Sequence, residues 1–276
     1  MNKGCLYLCP TPLGNLEDIT LRVLRILQEA DKIAAEDTRR TRKLLSHYDI
    51  HTRLISYHEH NKKVKTPAII EWLLAGEKIA LVSDAGMPAV ADPGEELVKA
   101  AIDHGIDVVA LPGPMAAVTA LTASGLNVCP FAFYGFIPLR GSQRKAMLAK
   151  IMAEEKTVIF YEAPHRLRRT LKELKEIDPL RRAVVAREIT KVHEEYIRGS
   201  LEEVLQHFTL TEPQGECTVL VAGRVAQQPQ LPILDLHALA EDFLAKGYST
   251  KEAAREIARQ TGASRNEIYR LILTKK

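Results

Sequence analysis

Short apolar runs alternate with helical patterns through the first 124 residues, and this alternation constrains the fold more than any other feature. The runs carry the aliphatic and β-branched side chains of buried strands, at residues 6–9, 32–35, 53–57, 78–82 and 108–111. Strands that alternate with helices usually pair in parallel, with helices on both faces of the sheet. The sequence therefore predicts an α/β fold with a mainly parallel N-terminal sheet, whose strand order it leaves open.

Polar or glycine-rich loops follow these strands. Residues 81–94, LVSDAGMPAVADPG, place two carboxylates, two glycines and two prolines directly after the fourth strand. Glycine lets a backbone approach a ligand closely, and ligands bind at the carboxyl ends of strands in open α/β sheets. An ordinary β-to-α connection would carry similar turn residues. We expect the loops PTPLGN, EDTRR, SDAGMP and LPGP to gather at one edge of the sheet.

The second half of the chain has another pattern. Some consecutive strands between residues 131 and 223 are not separated by a helix, which indicates antiparallel pairs and a mixed sheet. Three helical patterns follow a Gln- and Pro-rich linker, and they have the layout either of a helix-turn-helix or of a small trihelical packing unit. The predicted division is an N-terminal α/β domain, a C-terminal α/β domain, a linker and a helical extension, at residues 1–117, 118–224, 225–232 and 233–276.

Charge and cysteine usage restrict the class of protein. The net charge is only +3, but lysine and arginine cluster at residues 39–43, 62–65, 140–145 and 166–169, which suits a polyanionic substrate. The four cysteines lie in apolar runs and are interpreted as core residues in a reducing cytoplasm. The uncharged stretch 113–139 is interrupted by Pro, Gly and Asn, so no membrane span is predicted.

No metal site is expected either. The sequence contains neither HExxH nor paired metal-binding cysteines, and it lacks the P-loop and GxGxxG motifs of nucleotide-binding proteins. His58 and His60 alternate along an extended segment, a pattern more typical of a polar loop than of a metal site.

Motifs along nearly the whole chain resemble a single family. In order they are PTPLGNLEDIT, AAEDTRRTRKLL, SYHEHN, LVSDAGMPAVADPG, LPGPMAAVTALTASGL, FYGFIPLR, FYEAPHRL, AREITKVHEE and GECTVLVAG. Together they resemble the ribosomal RNA small subunit methyltransferase I family, within the tetrapyrrole methylase (class III) superfamily. The C-terminal helices are similar to that family's extension.

The resemblance implies S-adenosylmethionine as methyl donor and a cytidine 2′-hydroxyl in the decoding region of small-subunit (16S) ribosomal RNA as acceptor, either in free RNA or in the 30S particle. It implies a cytoplasmic homodimer whose two-domain fold binds the donor in the cleft between the domains. The implied donor contacts are Pro12, Ser83, Asp84, Ala85, Gly86, Met87, Pro88, Val90, Pro112, Gly113, Pro114, Ala116 and Ala117, with backbone atoms of Phe160 and Tyr161.

The chemistry suggests which residues act on the acceptor. A sulfonium donor is already activated, so alignment of the attacking oxygen is the main task. A ribose hydroxyl is a poor nucleophile, so a base, or a cation that lowers the effective pKa of the hydroxyl, helps. Candidates for this role are Glu36, Asp37, Glu188, Lys191 and His165. EDTRR is the first choice, because Asp37 lies beside Arg39, and arginine can fix a neighbouring phosphate. Alternatively, Asp37 pairs with Arg39 or Arg40 only to hold the loop.

A basic rim with interleaved aromatic residues is expected to follow RNA phosphates and stack unpaired bases. Its members are Arg40, Arg42, Lys43, His58, Arg140, Arg144, Lys145, His165 and Arg166. Two other functions stay open: methylation of a small tetrapyrrole-like metabolite, and a non-catalytic nucleic-acid-binding regulator whose donor site holds an effector. The basic clusters and the helical extension argue against the first, and transfer of labelled methyl groups to RNA would exclude the second.

Overall fold

The structure is a computed structural model that describes residues 3–224, 233–261 and 263–273. The chain divides into two compact units, Met1–Arg224 and Val225–Lys276. The predicted linker, residues 225–232, lies outside the described residues, as does Gly262 in the turn predicted between the last two helices.

The first sheet has five parallel strands, which confirms the prediction from the strand–helix alternation. The strands are β1 (Cys5–Leu8), β2 (Lys32–Ala35), β3 (Leu54–Ser56), β4 (Lys78–Val82) and β5 (Asp107–Ala110). Their order in the sheet is β3-β2-β4-β1-β5. The chain leaves β1 toward β2 on one side and leaves β4 toward β5 on the other. The loops after β1 and β4 therefore border the crevice in which sheets of this kind bind ligands.

Helices cover both faces of this sheet. They are α1 (Leu21–Glu29), α2 (Thr38–His47), α3 (Lys62–Leu74) and α4 (Glu95–Asp103). The packing of strand β4 explains why its sequence is apolar from Ile79 to Val82. Ala80 and Val82 pack with side chains of α1 and α2, whereas Ile79 and Leu81 pack with those of α3 and α4. A strand that is buried on both faces needs apolar residues at every position.

The second sheet is mixed, as predicted. Its strands are β6 (Phe131–Phe136), β7 (Thr157–Glu162), β8 (Arg182–Arg187), β9 (Glu195–Ser200) and β10 (Cys217–Val221), in the order β6-β7-β10-β8-β9. Strand β6 is parallel to β7, and the other neighbouring pairs are antiparallel. One face packs against α5 (Ala116–Ser124), and the other packs against α6 (Gly141–Ala153), α7 (Pro164–Lys175) and α8 (Leu201–Leu210).

Helix α5 consists mainly of small side chains because the second sheet lies directly against it. Its Ala117 and Ala120 are fully buried and pack with Ile159 of β7 and Leu220 of β10. The boundary predicted between residues 117 and 118 falls within the first turn of this helix. The division of residues 1–224 into two domains stays a prediction.

The uncharged stretch 113–139 forms α5 and β6, and the segment between them is exposed at several positions. Cys129 lies in this segment and is exposed, so the prediction that all four cysteines are core residues is wrong for Cys129. Cys9 and Cys217 are buried and Cys5 is half-buried. No helix among the described residues is long and apolar enough to cross a membrane.

The C-terminal unit contains α9 (Ile233–Ala245), α10 (Thr250–Thr261) and α11 (Arg265–Leu273), at the positions where helices are predicted. Its core is built from Ala240, Phe243, Ala253, Ala254, Ile257, Ile268 and Ile272. A capping box begins α10: Glu252 N donates to Ser249 Oγ over 3.3 Å, and Ser249 N donates to Glu252 Oε2 over 3.0 Å.

Candidate active site

A cavity of about 370 Å³ lies where the loops that follow β1, β2, β4 and β5 face the second sheet. Residues that line it from the first-sheet side include Leu13, Glu36, Arg40, Asp84, Gly86, Met87, Asp92 and Met115. The second-sheet side contributes Phe136, Tyr161, Glu162, Ala163, Pro164, Glu216, Cys217 and Thr218. The volume falls within the range of roughly 300–1,000 Å³ that is typical of small-molecule sites.

The loops after β1 and β4 are fastened to each other. Thr11 and Gly86 exchange two backbone hydrogen bonds of 2.9 Å. Gly86 has a φ of +85°, a conformation that favours glycine. Ser83 Oγ donates to the Gly86 carbonyl over 3.2 Å, and Thr11 Oγ1 donates to the Ser83 carbonyl over 3.0 Å. These bonds fix the backbone of the loop that faces the cavity.

One wall of the cavity is acidic, with the carboxylates Glu36, Asp84 and Asp92. Burial raises the pKa of Glu36, and the nearby charges of Asp92 and Asp84 raise it further. Burial likewise raises the pKa of Asp92. Asp84 is paired with Arg40 at 3.3 Å, and its other oxygen accepts the Asp37 amide over 3.0 Å. Glu36 therefore faces the cavity as a carboxylate that takes up a proton more readily than an exposed glutamate does.

The opposite wall is largely apolar. The Tyr161 hydroxyl accepts a hydrogen bond from the Ala117 amide over 3.3 Å, which fixes the ring at the start of α5. The Phe136 ring lies next to it, with 5.4 Å between the ring centroids. Met87 and Met115 add flexible apolar side chains to the lining. The cavity thus offers carboxylates on one side and aromatic and aliphatic surface on the other.

Comparison with known proteins decides the family. The tetrapyrrole (corrin/porphyrin) methylase family matches residues 5–205, and the RsmI C-terminal HTH domain matches residues 237–276. Ribosomal RNA small subunit methyltransferase I of Halalkalibacterium halodurans is 46% identical over 98% of this chain and 95% of the relative. The chain belongs to the ribosomal RNA small subunit methyltransferase I family. The proteins of the same name from Bacillus subtilis, at 46% identity, and Synechocystis, at 43%, are covered over 94% and 98% of their lengths.

Solved structures of more distant proteins share the fold of this family member. Uroporphyrin-III C-methyltransferase of Thermus thermophilus, complexed with S-adenosyl homocysteine, has a TM-score of 0.56 at 21% identity and covers 79% of this chain and 97% of its own. Cobalt precorrin-4 methyltransferase has a TM-score of 0.61 at 15% identity, with coverage of 79% and 94%. At these identities the likeness shows the fold alone, and it agrees with the predicted fold class.

The donor contacts that the family resemblance implies divide into two sets. Those that line the cavity are Asp84, Ala85, Gly86, Met87, Val90, Ala116 and Tyr161. Those outside the lining are Pro12, Ser83, Pro88, Pro112, Gly113, Pro114, Ala117 and Phe160.

Three of the outside positions have a visible packing role. The Phe160 side chain is buried between the second sheet and helices α6, α7 and α8, so only its backbone could meet a donor. Ser83 is buried and holds Gly86 in place. A Cβ atom at Gly113 would lie 2.6 Å from Pro10, so glycine is needed there for close packing of the two loops.

Asp37 lies at the N-terminus of α2 and acts as its cap. Its Oδ1 accepts the Arg39 amide over 2.8 Å, and its Oδ2 is 3.1 Å from Arg39 Nη2. The hydrogen bond from the Arg39 side chain lowers the Asp37 pKa to about 2. Asp37 is not among the residues that line the cavity. Of the two roles considered for it, the structure displays the pairing with Arg39 that holds the loop.

Glu188 and Lys191 belong to a loop that packs on the first sheet's PTPLGN loop. Lys191 Nζ donates to Glu188 Oε1 over 2.9 Å, and Thr190 Oγ1 accepts the Asn15 amide over 3.1 Å. A Cβ atom on Gly14 would lie 2.3 Å from Lys191 Cγ, so glycine is needed for this contact. Neither Glu188 nor Lys191 lines the cavity. Their visible role is to hold the loop after β1 against the second sheet.

The predicted basic rim is only partly at the surface. Arg42, Lys43, Arg140, Lys145 and His165 are exposed, and His58 is half-buried. Arg40 lines the cavity.

Two members of the rim point inward. The prediction that Arg144 contacts RNA is wrong, because it is 2% exposed and its Nη2 lies 2.7 Å from Glu173. Arg166 is also mostly buried, with Nη2 at 2.5 Å from the buried carboxylate of Glu162. Sequence clustering cannot separate such buried arginines from solvated ones.

Several residues that line the cavity were not predicted from the sequence. They are Leu13, Ala91, Asp92, Phe136, Glu162, Ala163, Pro164, Glu216, Cys217 and Thr218. Many of them lie beside a strand end within a quoted motif, such as ADPG, FYGF, FYEAP or GEC. From the second sheet, the family resemblance implied only Phe160 and Tyr161 as donor contacts, so position at the end of a strand was the signal that could have identified the others.

Proposed function

We propose that this chain transfers a methyl group from S-adenosylmethionine to the 2′-oxygen of a cytidine in the decoding region of small-subunit ribosomal RNA. The observation that carries the proposal is a half-buried carboxylate, Glu36, that lines a cavity in a chain 46% identical, over 98% of its length, to ribosomal RNA small subunit methyltransferase I. We further propose that the protein works as a cytoplasmic homodimer on the assembled 30S particle, where the folded decoding region is present.

The cavity residues fit the donor. S-adenosylmethionine carries a sulfonium and an ammonium group, and it supplies an activated methyl group when bound. Of the described residues that line the cavity, Arg40 is the sole Lys or Arg, and it is paired with Asp84. Glu36, Asp84 and Asp92 therefore leave a negative wall that favours a cation. The apolar side chains of Tyr161, Met87 and Met115 in the lining suit a flat adenine ring.

Glu36 is the residue proposed to accept the acceptor proton. A general base must reach the hydroxyl and have a pKa matched to its task. Glu36 lines the cavity, and burial together with Asp92 and Asp84 raises its pKa. Asp37, Glu188 and Lys191 are proposed instead to hold the loops that shape the site. Arg39 keeps Asp37 in its capping position.

Incubation with methyl-labelled donor should place label in 30S particles that come from a strain lacking this protein. Nuclease digestion should release the label as 2′-O-methylcytidine. Particles that already carry the modification are the control and should take up little label. Absence of label in RNA, with transfer to added uroporphyrinogen III instead, would favour the small-metabolite methylase. Donor binding with no transfer to either acceptor would favour the regulator.

RNA affinity should fall steeply as salt increases, because bound phosphates release counterions. Contacts by Arg42, Lys43, Arg140 and Lys145 would give a slope of about −3 for log K against log salt, at about −0.7 per single-strand contact. Affinity should then drop about 50-fold between 50 and 200 mM salt. Filter binding at several salt concentrations measures the slope, and Lys43→Ala should reduce it by about 0.7. A slope near zero would contradict an RNA acceptor.

A further inference from the structure

Phe136 is the last residue of β6, and its ring stands at the mouth of the cavity. It lines the cavity and yet is 55% exposed. One side of the ring packs near Tyr161, which lies opposite it in the parallel β6–β7 pair. Since the Ala117 amide fixes the Tyr161 hydroxyl, the two rings form a shelf with a defined position.

The chain continues outward from this shelf. Ile137 is buried and anchors the segment, whereas Leu139 and Arg140 are exposed. Within the described parts of the chain, Arg140 forms no ion pair. An exposed aromatic ring, an exposed aliphatic side chain and an uncompensated guanidinium therefore follow one another along five residues, 136–140.

Two largely buried arginine side chains donate hydrogen bonds to the backbone of segment 136–140. Arg166 Nη1 donates to the Ile137 carbonyl over 3.3 Å, and Arg144 Nη1 donates to the Pro138 carbonyl over 3.1 Å. Both guanidinium groups lie beside Glu162, at 2.5 Å for Arg166 and 3.8 Å for Arg144. The Glu162 side chain is fully buried. The network fixes two consecutive carbonyls, so the ring and Arg140 are presented by an ordered backbone.

A fixed aromatic ring that remains exposed to water is suited to a flat ligand, because stacking removes apolar surface from water at little entropic cost. Arginine next to such a ring can pair with a phosphate. A donor enclosed in the cavity would meet the inner wall first. A polynucleotide lying across the mouth would meet Phe136 and Arg140 together.

We infer that Phe136 is a stacking platform for a nucleobase of the acceptor RNA at the cavity mouth, with Arg140 on an adjoining phosphate. Arg144 and Arg166 are positioning residues that hold the platform through the carbonyls of Ile137 and Pro138. This inference rests on the proposed function, and it assigns a specific RNA contact to a residue outside the predicted basic rim.

Phe136→Ala should raise the KM for 30S particles by at least about fivefold, which is the lower end of what base–aromatic stacking contributes to single-strand binding. The Kd of S-adenosylmethionine, measured by isothermal titration calorimetry, should change less than about twofold. Phe136→Trp retains a flat ring and should restore most of the RNA affinity. Phe131→Ala is the matched control, because Phe131 begins the same strand, is 41% exposed and is not among the residues that line the cavity.

Three results would overturn the inference. If Phe136→Ala weakens donor binding and leaves the KM for RNA unchanged, the ring stacks on the donor's adenine. If neither constant changes, or Phe131→Ala has the same effect as Phe136→Ala, the ring has no specific role. Failure of the proposed function is distinguishable, because the unaltered protein would then transfer no label to RNA.

Discussion

Glu36→Gln is expected to reduce the rate of methyl transfer by about 10²–10⁴-fold, which is the typical contribution of a general base. Glutamine has nearly the same shape as glutamate but cannot accept the hydroxyl proton. The side chain lines the cavity, so we expect the substitution to act on the bound acceptor and not through the fold. Single-turnover measurements with saturating donor and 30S particles report this step, and the donor Kd should change far less than the rate.

The pH dependence of the rate gives a second measure of the same residue. Burial, Asp92 and Asp84 raise the Glu36 pKa, so its base form appears at a higher pH than for an exposed glutamate. The rate of the unaltered protein should therefore rise with pH through that pKa and then level off. In Glu36→Gln this rise should be absent. A rise that persists unchanged in the variant would assign it to another group.

Asp37→Asn is the matched control, because it removes the neighbouring charge and keeps a side chain that caps helices well. The Asp37 carboxylate is engaged by Arg39 and does not line the cavity. We expect turnover close to that of the unaltered protein. If Asp37→Asn loses activity and Glu36→Gln retains it, the base is Asp37, and the pairing with Arg39 is part of the catalytic arrangement.

The parallel sheet could be predicted because its determinants are local. Apolar runs such as Ile79 to Val82 indicate a strand buried on both faces, and the helix between successive strands indicates parallel pairing. Strand order could not be predicted, since it depends on which edges meet after distant segments fold. The order β3-β2-β4-β1-β5 is what makes the loops after β1 and β4 neighbours, joined through Thr11 and Gly86.

The candidate site could also be predicted only in part, because some of its features are local in sequence and others depend on how distant segments fold together. Strand ends identified SDAGMP as a wall of the site, but Asp92 lies beyond that turn and reaches the cavity only because the loop folds back. Arg144 was assigned to the surface because it lies in a basic cluster. Its burial depends on Glu162 and Glu173, which are distant in sequence and converge on it only in the folded protein.

Arg144→Met is expected to lower the free energy of unfolding by about 3 kcal/mol, since removal of one partner leaves buried polar groups without compensation. Arg144 is 2% exposed and donates to Glu173, Thr170 and the Pro138 carbonyl. Methionine fills much of the volume but donates no hydrogen bond. Arg166 still pairs with Glu162 in the variant, which keeps the loss at the lower end of the range for a broken buried pair.

Arg169→Met tests whether burial causes the expected loss of stability in Arg144→Met, because Arg169 also pairs with Glu173. Its Nε lies 2.9 Å from Glu173 Oε1, but its side chain is 59% exposed. An exposed pair four residues apart in a helix contributes only about 0.3–0.5 kcal/mol. The thermal midpoint should therefore fall by roughly 10 °C in Arg144→Met and by about 1–2 °C in Arg169→Met. Equal shifts would mean that Glu173 is stabilised by charge alone, and that the hydrogen bonds of Arg144 to Thr170 and to the Pro138 carbonyl contribute little.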